Sequence, residues 1–390
     1  MKGNILLGIT GGIAAYKMVD VASRLVKKGF SVNTVMTEGG TQFVTPLTFQ
    51  NITHNPVSTE LFTPPANYDV KHISLVDKAD LCVVGPATAN FIGKIANGIA
   101  DDLLTTVIMA SKTPVLIIPS MNENMYNNPI VQDNISYLRE LGYQILEPAE
   151  GYLACGISGK GRLPEPAEII EKVISNFTKN DLSTKRILIT AGPTRERIDP
   201  VRFLSNYSSG KMGYAIARAA VLRGAEVTLI TGPTELKVSG LLKKIQIESA
   251  VQMYTEVKKE FENNDIIIMS AAVADYRPLK YQEDKIKKGF GDKLKLELVK
   301  NPDILHELGK NKKTGQIIVG FAAESQNLVA NARDKLYRKN LDLIVANDVT
   351  AFADDENEIT LIRGNKIEKV ARMKKVELAD LILDNIKEVL

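Results

Sequence analysis

Short apolar runs and amphipathic stretches alternate along the first half of the chain. Residues 5–10 (ILLGIT) read as a buried strand that ends in Gly11-Gly12, and residues 13–28 then repeat apolar positions at helical spacing. Further strands are expected at 32–36, 81–84 and 115–119, with helical patterns between them. Such alternation specifies a mostly parallel sheet covered on both faces. Sheets of this kind take ligands in a crevice at the carboxyl ends of their strands. The pattern breaks at 175–185, where SNFTKNDLSTK has no apolar period and reads as a linker.

A second cycle follows at once. RILITAGPT has the same design as NILLGITGG, an apolar strand closed by a small-residue turn. More strands are expected at 227–231, 266–269, 317–321 and 343–346. ITLIRGNKIEKV reads as a hairpin with Gly364-Asn365 at its tip, and 373–390 as a closing helix. The two openings share an architecture and not a repeated sequence. The expectation is therefore an α/β protein of two doubly wound Rossmann-like domains with mostly parallel sheets, at 1–183 and 184–390.

Composition narrows the partners. The 390 residues carry 49 Lys+Arg against 46 Asp+Glu, a net charge of +3, and nothing in that balance asks for a nucleic-acid or membrane partner. A content of 44% hydrophobic and 24% charged residues excludes a mainly disordered chain. No apolar run approaches the ~20 residues needed to span a bilayer. The opening MKGNILLGITGG reads as strand and turn, without the layout of a signal peptide. Cys82 and Cys155 cannot make a disulfide framework and suit a reducing compartment. With His54, His72 and His306 they form a poor inventory for a structural zinc site. A cytoplasmic protein is expected.

Candidate chemistry gathers at the strand exits. Gly11-Gly12-Ile13-Ala14-Ala15-Tyr16-Lys17 puts glycines where a strand passes into a helix, which lets backbone approach an anion. The same residues serve as a tight βα turn without any ligand, and the full G-x-G-x-x-G pattern is absent. Pro86-Ala87-Thr88-Ala89-Asn90 and Pro119-Ser120-Met121-Asn122-Glu123-Asn124-Met125 are two more small, polar exits. Each alone would do as a turn or N-cap; together they converge on one sheet edge. His72, in YDVKHISL, lies between polar residues and an apolar pair, where a lone histidine is more often a surface or satisfied residue. Cys155 lies in the glycine-rich stretch GYLACGISGKGRLPEP, which reads as a mobile loop, whereas Cys82 within LCVV reads as a core residue.

In the second half, Ala191-Gly192-Pro193-Thr194-Arg195-Glu196 follows a strand, and SNYSSGKMG (205–213) precedes a helix expected at 215–222. That insert sets hydroxyls, an amide and a cation beside a helix start. Ser270-Ala271-Ala272-Val273-Ala274-Asp275-Tyr276 ends another strand with a carboxylate suited to magnesium or a nucleotide hydroxyl. Lys285-Ile286-Lys287-Lys288, with Lys293, Lys295 and Lys300, is either a solvated face or a flap that neutralises a triphosphate. Lys300-Asn301-Pro302-Asp303-Ile304, Gly320-Phe321-Ala322-Ala323-Glu324, and Lys335 with Lys339 on one helix face complete the set.

GGIAAYK, PATAN, the single histidine before a strand, SMNENM and LACG…GKGR, in this order over 1–180, resemble the flavin-dependent cysteine decarboxylase family. More closely, they resemble the first half of the bifunctional phosphopantothenoylcysteine decarboxylase/phosphopantothenate–cysteine ligases of bacterial coenzyme A synthesis. AGPTRE, SNYSSGKMG, AAVADYR, KIKK, KNPDI and GFAAE, over 185–390, resemble the ligase half of the same enzymes.

The first resemblance implies an FMN site made by Gly11, Gly12, Ala14, Thr37, Thr88, Ala89 and Asn90. His72 would be the base, Asn122 would hold the substrate carboxylate, and Cys155 would donate the proton. The second implies that CTP with Mg2+ activates 4′-phosphopantothenate as an acyl-cytidylate, which the amine of cysteine attacks. Asn206 would bind that acyl-cytidylate and Lys285 would serve its formation or collapse. Ala271, Ala272, Val273, Asp275, Lys285, Pro302, Asp303, Ile304, Leu305, Phe321, Lys335 and Lys339 would hold CTP, with Asp275 as the expected Mg2+ ligand. Ligation would precede decarboxylation to 4′-phosphopantetheine. The resemblance also implies a homo-oligomer, with trimeric decarboxylase and dimeric ligase contacts that together make a dodecamer. Two departures stand out. Gly12 offers a phosphate only backbone, and Met125-Tyr126 stands where many members have Met-Trp.

Overall fold

The computed structural model describes residues 2–62, 75–152, 158–238, 240, 242–287, 294–324, 327–348 and 354–389. The chain divides into two compact units, Met1–Thr178 and Lys179–Leu390.

In the first unit, β1 (Asn4–Ile9), β2 (Ser31–Met36), β3 (Val57–Ser58), β4 (Leu81–Ala87), β5 (Val115–Pro119) and β6 (Gln144–Ile145) form one sheet in the order β3-β2-β1-β4-β5-β6. Every pairing in it is parallel. β4 and β5 are buried along their whole length, as strands covered on both faces must be. The helix Ala15–Lys27 turns Met18, Val21, Ala22 and Leu25 inward, a single stripe at helical spacing. Cys82 is fully buried among Leu6, Val84 and Leu104, and burial pushes its thiol pKa up, so it is an inert core residue.

The glycine-rich stretch expected to be a loop is partly a hairpin. β7 (Ala149–Tyr152) pairs antiparallel with β8 (Ser158–Arg162). Glycine is a poor strand former, and the order of this stem comes from a neighbouring loop. Met121 N–H donates to the Gly161 carbonyl at 3.0 Å, and Lys160 N–H donates to Glu123 Oε1 at 3.3 Å. Cys155 and His72 lie outside the described residues.

In the second unit the strands are β9 (Arg186–Ala191), β10 (Glu196–Arg197), β11 (Phe203–Leu204), β12 (Glu226–Thr231), β13 (Lys243–Gln246), β14 (Ile266–Met269), β15 (Tyr276–Pro278), β16 (Leu298–Lys300), β17 (Ile317–Glu324), β18 (Leu343–Asp348), β19 (Glu356–Arg363) and β20 (Lys366–Lys374). The main sheet runs β13-β12-β9-β14-β17-β18-β19-β20. It is parallel as far as β18, and β19 and β20 are antiparallel. Ile187, Ile189, Val319 and Val345 join one core cluster, whereas Leu188, Ile318 and Ile344 join another. Alternate residues of the same strands therefore feed separate cores, one on each face of the sheet. Arg363 pairs with Lys366, which leaves Gly364-Asn365 as the hairpin loop.

The helix expected at 215–222 starts earlier, as Lys211–Leu222, because Gly210 at φ +78° turns the chain directly into it. Residues 179–183 belong with the second unit. Asp181 reaches the buried Arg223 at 2.8 Å, and Arg223 also pairs with Asp384 of the closing helix Lys375–Lys387 at 2.9 Å. Among the described residues no helix is long and apolar enough to cross a membrane.

Candidate active sites

In the first unit the sheet order reverses between β1 and β4, and both strand ends open onto a cavity of about 760 Å³. Of the expected FMN residues, Gly11, Gly12, Ala14, Thr88 and Ala89 line it, as does Asn122. The buried Thr10 hydroxyl links the two exits by donating to the Pro86 carbonyl at 2.6 Å and accepting from Thr88 N–H at 3.2 Å. The Thr88 hydroxyl caps the helix Ala89–Ala96 by accepting from Phe91 N–H. Gly11 lies so close to Gly39, at the exit of β2, that a Cβ on it would sit 3.1 Å from the neighbouring backbone.

Asn122 follows β5. Ser120 N–H is held by the Ala87 carbonyl at 3.0 Å and Met121 N–H by Gly161, which suspends this loop between β4 and β8. Asn122 Oδ1 accepts from Asn124 N–H at 2.9 Å. Beneath it, the buried Tyr126 hydroxyl donates to Glu147, which also pairs with Lys160 at 2.9 Å.

Thr37 and Asn90 do not line the cavity. The Thr37 hydroxyl accepts from Gly40 N–H at 3.2 Å, and Asn90 faces outward on its helix. Residues absent from the expected set do line it: Ile13, Met121, Met125 and Leu163 give apolar walls, and Lys17 and Arg162 give cations that share Glu165. Lys17 and Arg162 stood inside the quoted motifs, but they meet only because β8 returns to the first helix. A glycine floor, apolar walls and a surplus of cation over carboxylate fit a flat aromatic cofactor that carries a phosphate.

In the second unit the reversal falls between β9 and β14. A cleft of about 450 Å³ opens at the ends of β14 and β17. Ala271, Val273, Asp275, Pro302, Asp303, Ile304, Leu305, Phe321, Lys335 and Lys339 line it, together with Met269, Ala274, Tyr276, Lys300 and Asn301. Lys335 Nζ donates to the Phe321 carbonyl at 2.8 Å, and Lys339 Nζ pairs with Asp303 at 2.8 Å. Burial pushes the Asp303 carboxyl pKa up, but the Lys339 bond and His306 N–H outweigh it and hold it below its ordinary value. Asn301 fastens the wall, donating from Nδ2 to the Ala274 carbonyl and from its N–H to the Asp275 carbonyl, both at 2.8 Å.

Ala272 is a junction more than a lining residue. Its carbonyl accepts from Asn206 Nδ2 at 2.6 Å, so Asn206 sits against the turn that leads to Asp275. Lys285 is exposed and lies outside the cleft lining. Among the described residues no three His, Cys, Asp or Glu side chains converge. A magnesium ion here would rest on Asp275 and on the phosphates of a nucleotide, which is how Mg2+ is commonly held.

Residues 1–178 match the family model for flavoproteins, and residues 182–390 match that for the C-terminal domain of DNA/pantothenate metabolism flavoproteins. The chain is 49% identical over 393 residues to the coenzyme A biosynthesis bifunctional protein CoaBC of Bacillus subtilis (strain 168), covering 98% of this chain and 96% of the relative. The protein of the same name from Borreliella burgdorferi is 45% identical over 382 residues, covering 97% and 98%. A crystal structure of the C-terminal domain of a CoaBC protein aligns with a TM-score of 0.47 and 44% identity, over 54% of this chain and 97% of that one. With a flavoprotein unit followed by a pantothenate-metabolism unit, the chain belongs to the family of bifunctional coenzyme A biosynthesis proteins.

Proposed function

We propose that the second unit ligates 4′-phosphopantothenate to cysteine with CTP and Mg2+. The first unit then decarboxylates 4′-phosphopantothenoylcysteine with FMN to give 4′-phosphopantetheine. The observation that supports this reading is that most of the described residues expected at each site line one cavity at the strand ends of their own unit.

In the first unit the Gly11-Gly12 turn and the start of the helix Ala15–Lys27 would hold the cofactor phosphate through backbone N–H groups. Ile13, Met121, Met125 and Leu163 would wall the ring and exclude water. Bound FMN supplies reversible two-electron oxidation of the cysteinyl thiol end, without which the electron pair left by CO2 has no acceptor. Asn122 would hold the substrate carboxylate until it departs, His72 would take the first proton, and Cys155 would return a proton to the enethiolate carbon.

In the second unit a carboxylate must become an electrophile. CTP makes it an acyl-cytidylate and releases pyrophosphate; the amine of cysteine attacks the acyl carbon and CMP leaves. Lys335 and Lys339 would set positive charge beside the nucleotide, and Lys285 would meet the acyl-cytidylate that Asn206 binds. A cytoplasmic homo-oligomer, with trimeric decarboxylase and dimeric ligase contacts, belongs to the same reading.

The test is incubation of the purified chain with 4′-phosphopantothenate, cysteine, CTP and Mg2+, followed by mass spectrometry. The expected product is 4′-phosphopantetheine, lighter by one CO2 than the ligated intermediate. If the intermediate alone builds up on FMN-loaded protein, the decarboxylase assignment fails. If no product forms with CTP or ATP, the ligase assignment fails.

A further inference from the structure

We infer that Asp199, working with Arg202, is a positioning residue that fixes the main chain beside Lys285 for ligation; this rests on the reading that Lys285 acts in that reaction. Asp199 lies in the loop between β10 and β11 and is 1% exposed. Its Oδ1 accepts from Val201 N–H at 2.9 Å and Arg202 N–H at 2.8 Å, which closes the turn. Its Oδ2 accepts from the Arg202 guanidinium, with Nε at 2.9 Å, and from Ile286 N–H at 3.1 Å. Arg202 Nη2 then donates to the Ile286 carbonyl at 3.0 Å. Both polar groups of one peptide residue are thus gripped by one ion pair, although Ile286 lies 87 residues further along the chain.

The segment that carries Ile286 has no other regular structure. Residues 281–287 belong to no helix or strand, and Gln282 N–H donating to the Ile198 carbonyl at 3.0 Å ties the same segment to the same loop. Lys285 and Lys287 flank the gripped residue and are exposed. With Ile286 fixed, the Cα of Lys285 is fixed about 3.8 Å away, and only its side-chain rotamers remain to choose where the ammonium goes. Bonds to ionised partners are the stronger class of hydrogen bond. The Arg202 guanidinium beside Asp199 holds its carboxyl well below the usual carboxylate range, so the grip persists at neutral pH.

A solvated lysine patch needs no such anchor. A lysine that must meet a bound acyl-cytidylate does, because a displacement of about 1 Å costs as much as a hundredfold in rate.

The test compares Asp199→Asn, Lys285→Gln and the parent. In Asp199→Asn, kcat for ligation is expected to fall about tenfold to a hundredfold, with the KM for CTP moving less than about twofold. Tryptic cleavage after Lys285 and Lys287, followed by mass spectrometry, should accelerate. Loss of ligation in Lys285→Gln with parental kcat in Asp199→Asn would overturn the positioning role. Parental ligation in Lys285→Gln would overturn the reading beneath it, whatever Asp199→Asn does. Hydrogen exchange on the unaltered chain keeps the inference testable if Asp199→Asn does not fold. The Ile286 amide should exchange much more slowly than in a free peptide; exchange at the free-peptide rate overturns the anchor.

Discussion

Replacing Gly11 by alanine tests the flavin-site geometry at one methyl group. An ideal Cβ at Gly11 would lie 3.1 Å from both the Cα and the carbonyl carbon of Gly39 and 3.3 Å from its oxygen. Comfortable carbon contacts begin at about 3.5 Å, so the methyl is short by roughly 0.4 Å against two atoms. Both are backbone, and no rotamer can relieve them. Overpacking of this kind costs about 1–3 kcal/mol. The unfolded chain loses some freedom with alanine, which returns about 0.4–1 kcal/mol. The net is a loss of about 1–2 kcal/mol, which for a unit of this size is a fall in Tm of about 2–8 °C. Because relief must move the turn expected to hold the phosphate, each 1.4 kcal/mol of misfit raises the FMN Kd about tenfold. The assay is fluorescence titration of the apoprotein with FMN, beside thermal unfolding. Gly93→Ala is the control: it sits inside the helix Ala89–Ala96, and its Cβ would meet Asn134 Nδ2 at an easy 3.9 Å. It should gain about 0.5–1 kcal/mol. A Gly11→Ala protein that binds FMN as tightly as the parent and melts no lower refutes the close-approach argument.

Other substitutions reach other parts of the molecule. Cys155→Ser should keep FMN and accumulate an oxidised, decarboxylated enethiol visible by mass spectrometry; normal phosphopantetheine output would refute the donor role. Lys335→Ala removes a cation from the cleft and should raise the KM for CTP while decarboxylation of supplied phosphopantothenoylcysteine holds at its parental rate. Arg223→Met should destabilise the second unit by about 3 kcal/mol in urea unfolding, at the low end for a buried pair because Asp181 and Asp384 keep some solvent access. The Arg223 bond depresses the folded-state pKa of Asp181. Its stabilisation is therefore full above the unfolded value of about 3.9 and fades as pH falls through the folded one. Stability of the second unit should drop below about pH 4, and Arg223→Met should shrink that dependence; an unchanged acid limb would refute the assignment.

What the sequence revealed follows from where the order of each element originates. Strands at 115–119 and 266–269 coincide with β5 and β14 because a strand buried on both faces must be apolar throughout, and that run is visible without partners. β7–β8, β10–β11 and β15–β16 escaped. Their residues are largely polar, glycine-rich or exposed, and bonds from distant segments help hold them: Gly161 to Met121, Ile198 to Gln282 and Asn301 to Ala274. No local period encodes such bonds. The sites divide in the same way. Gly11, Thr88 and Asn122 come within three residues of a strand end, so placing the strand places the residue. Thr37 also follows a strand, and its hydroxyl caps the next turn by accepting from Gly40 N–H, a local bond that a motif does not show. Lys17 and Arg162 become neighbours only through Glu165, and Asp199 acquires a role only when Ile286 arrives. The residues that position a site are therefore the least legible part of it. A substitution at Asp199 or Glu123 leaves every chemistry-bearing residue of the motifs in place, yet releases the segment that presents Lys285 or the stem of β7 and β8.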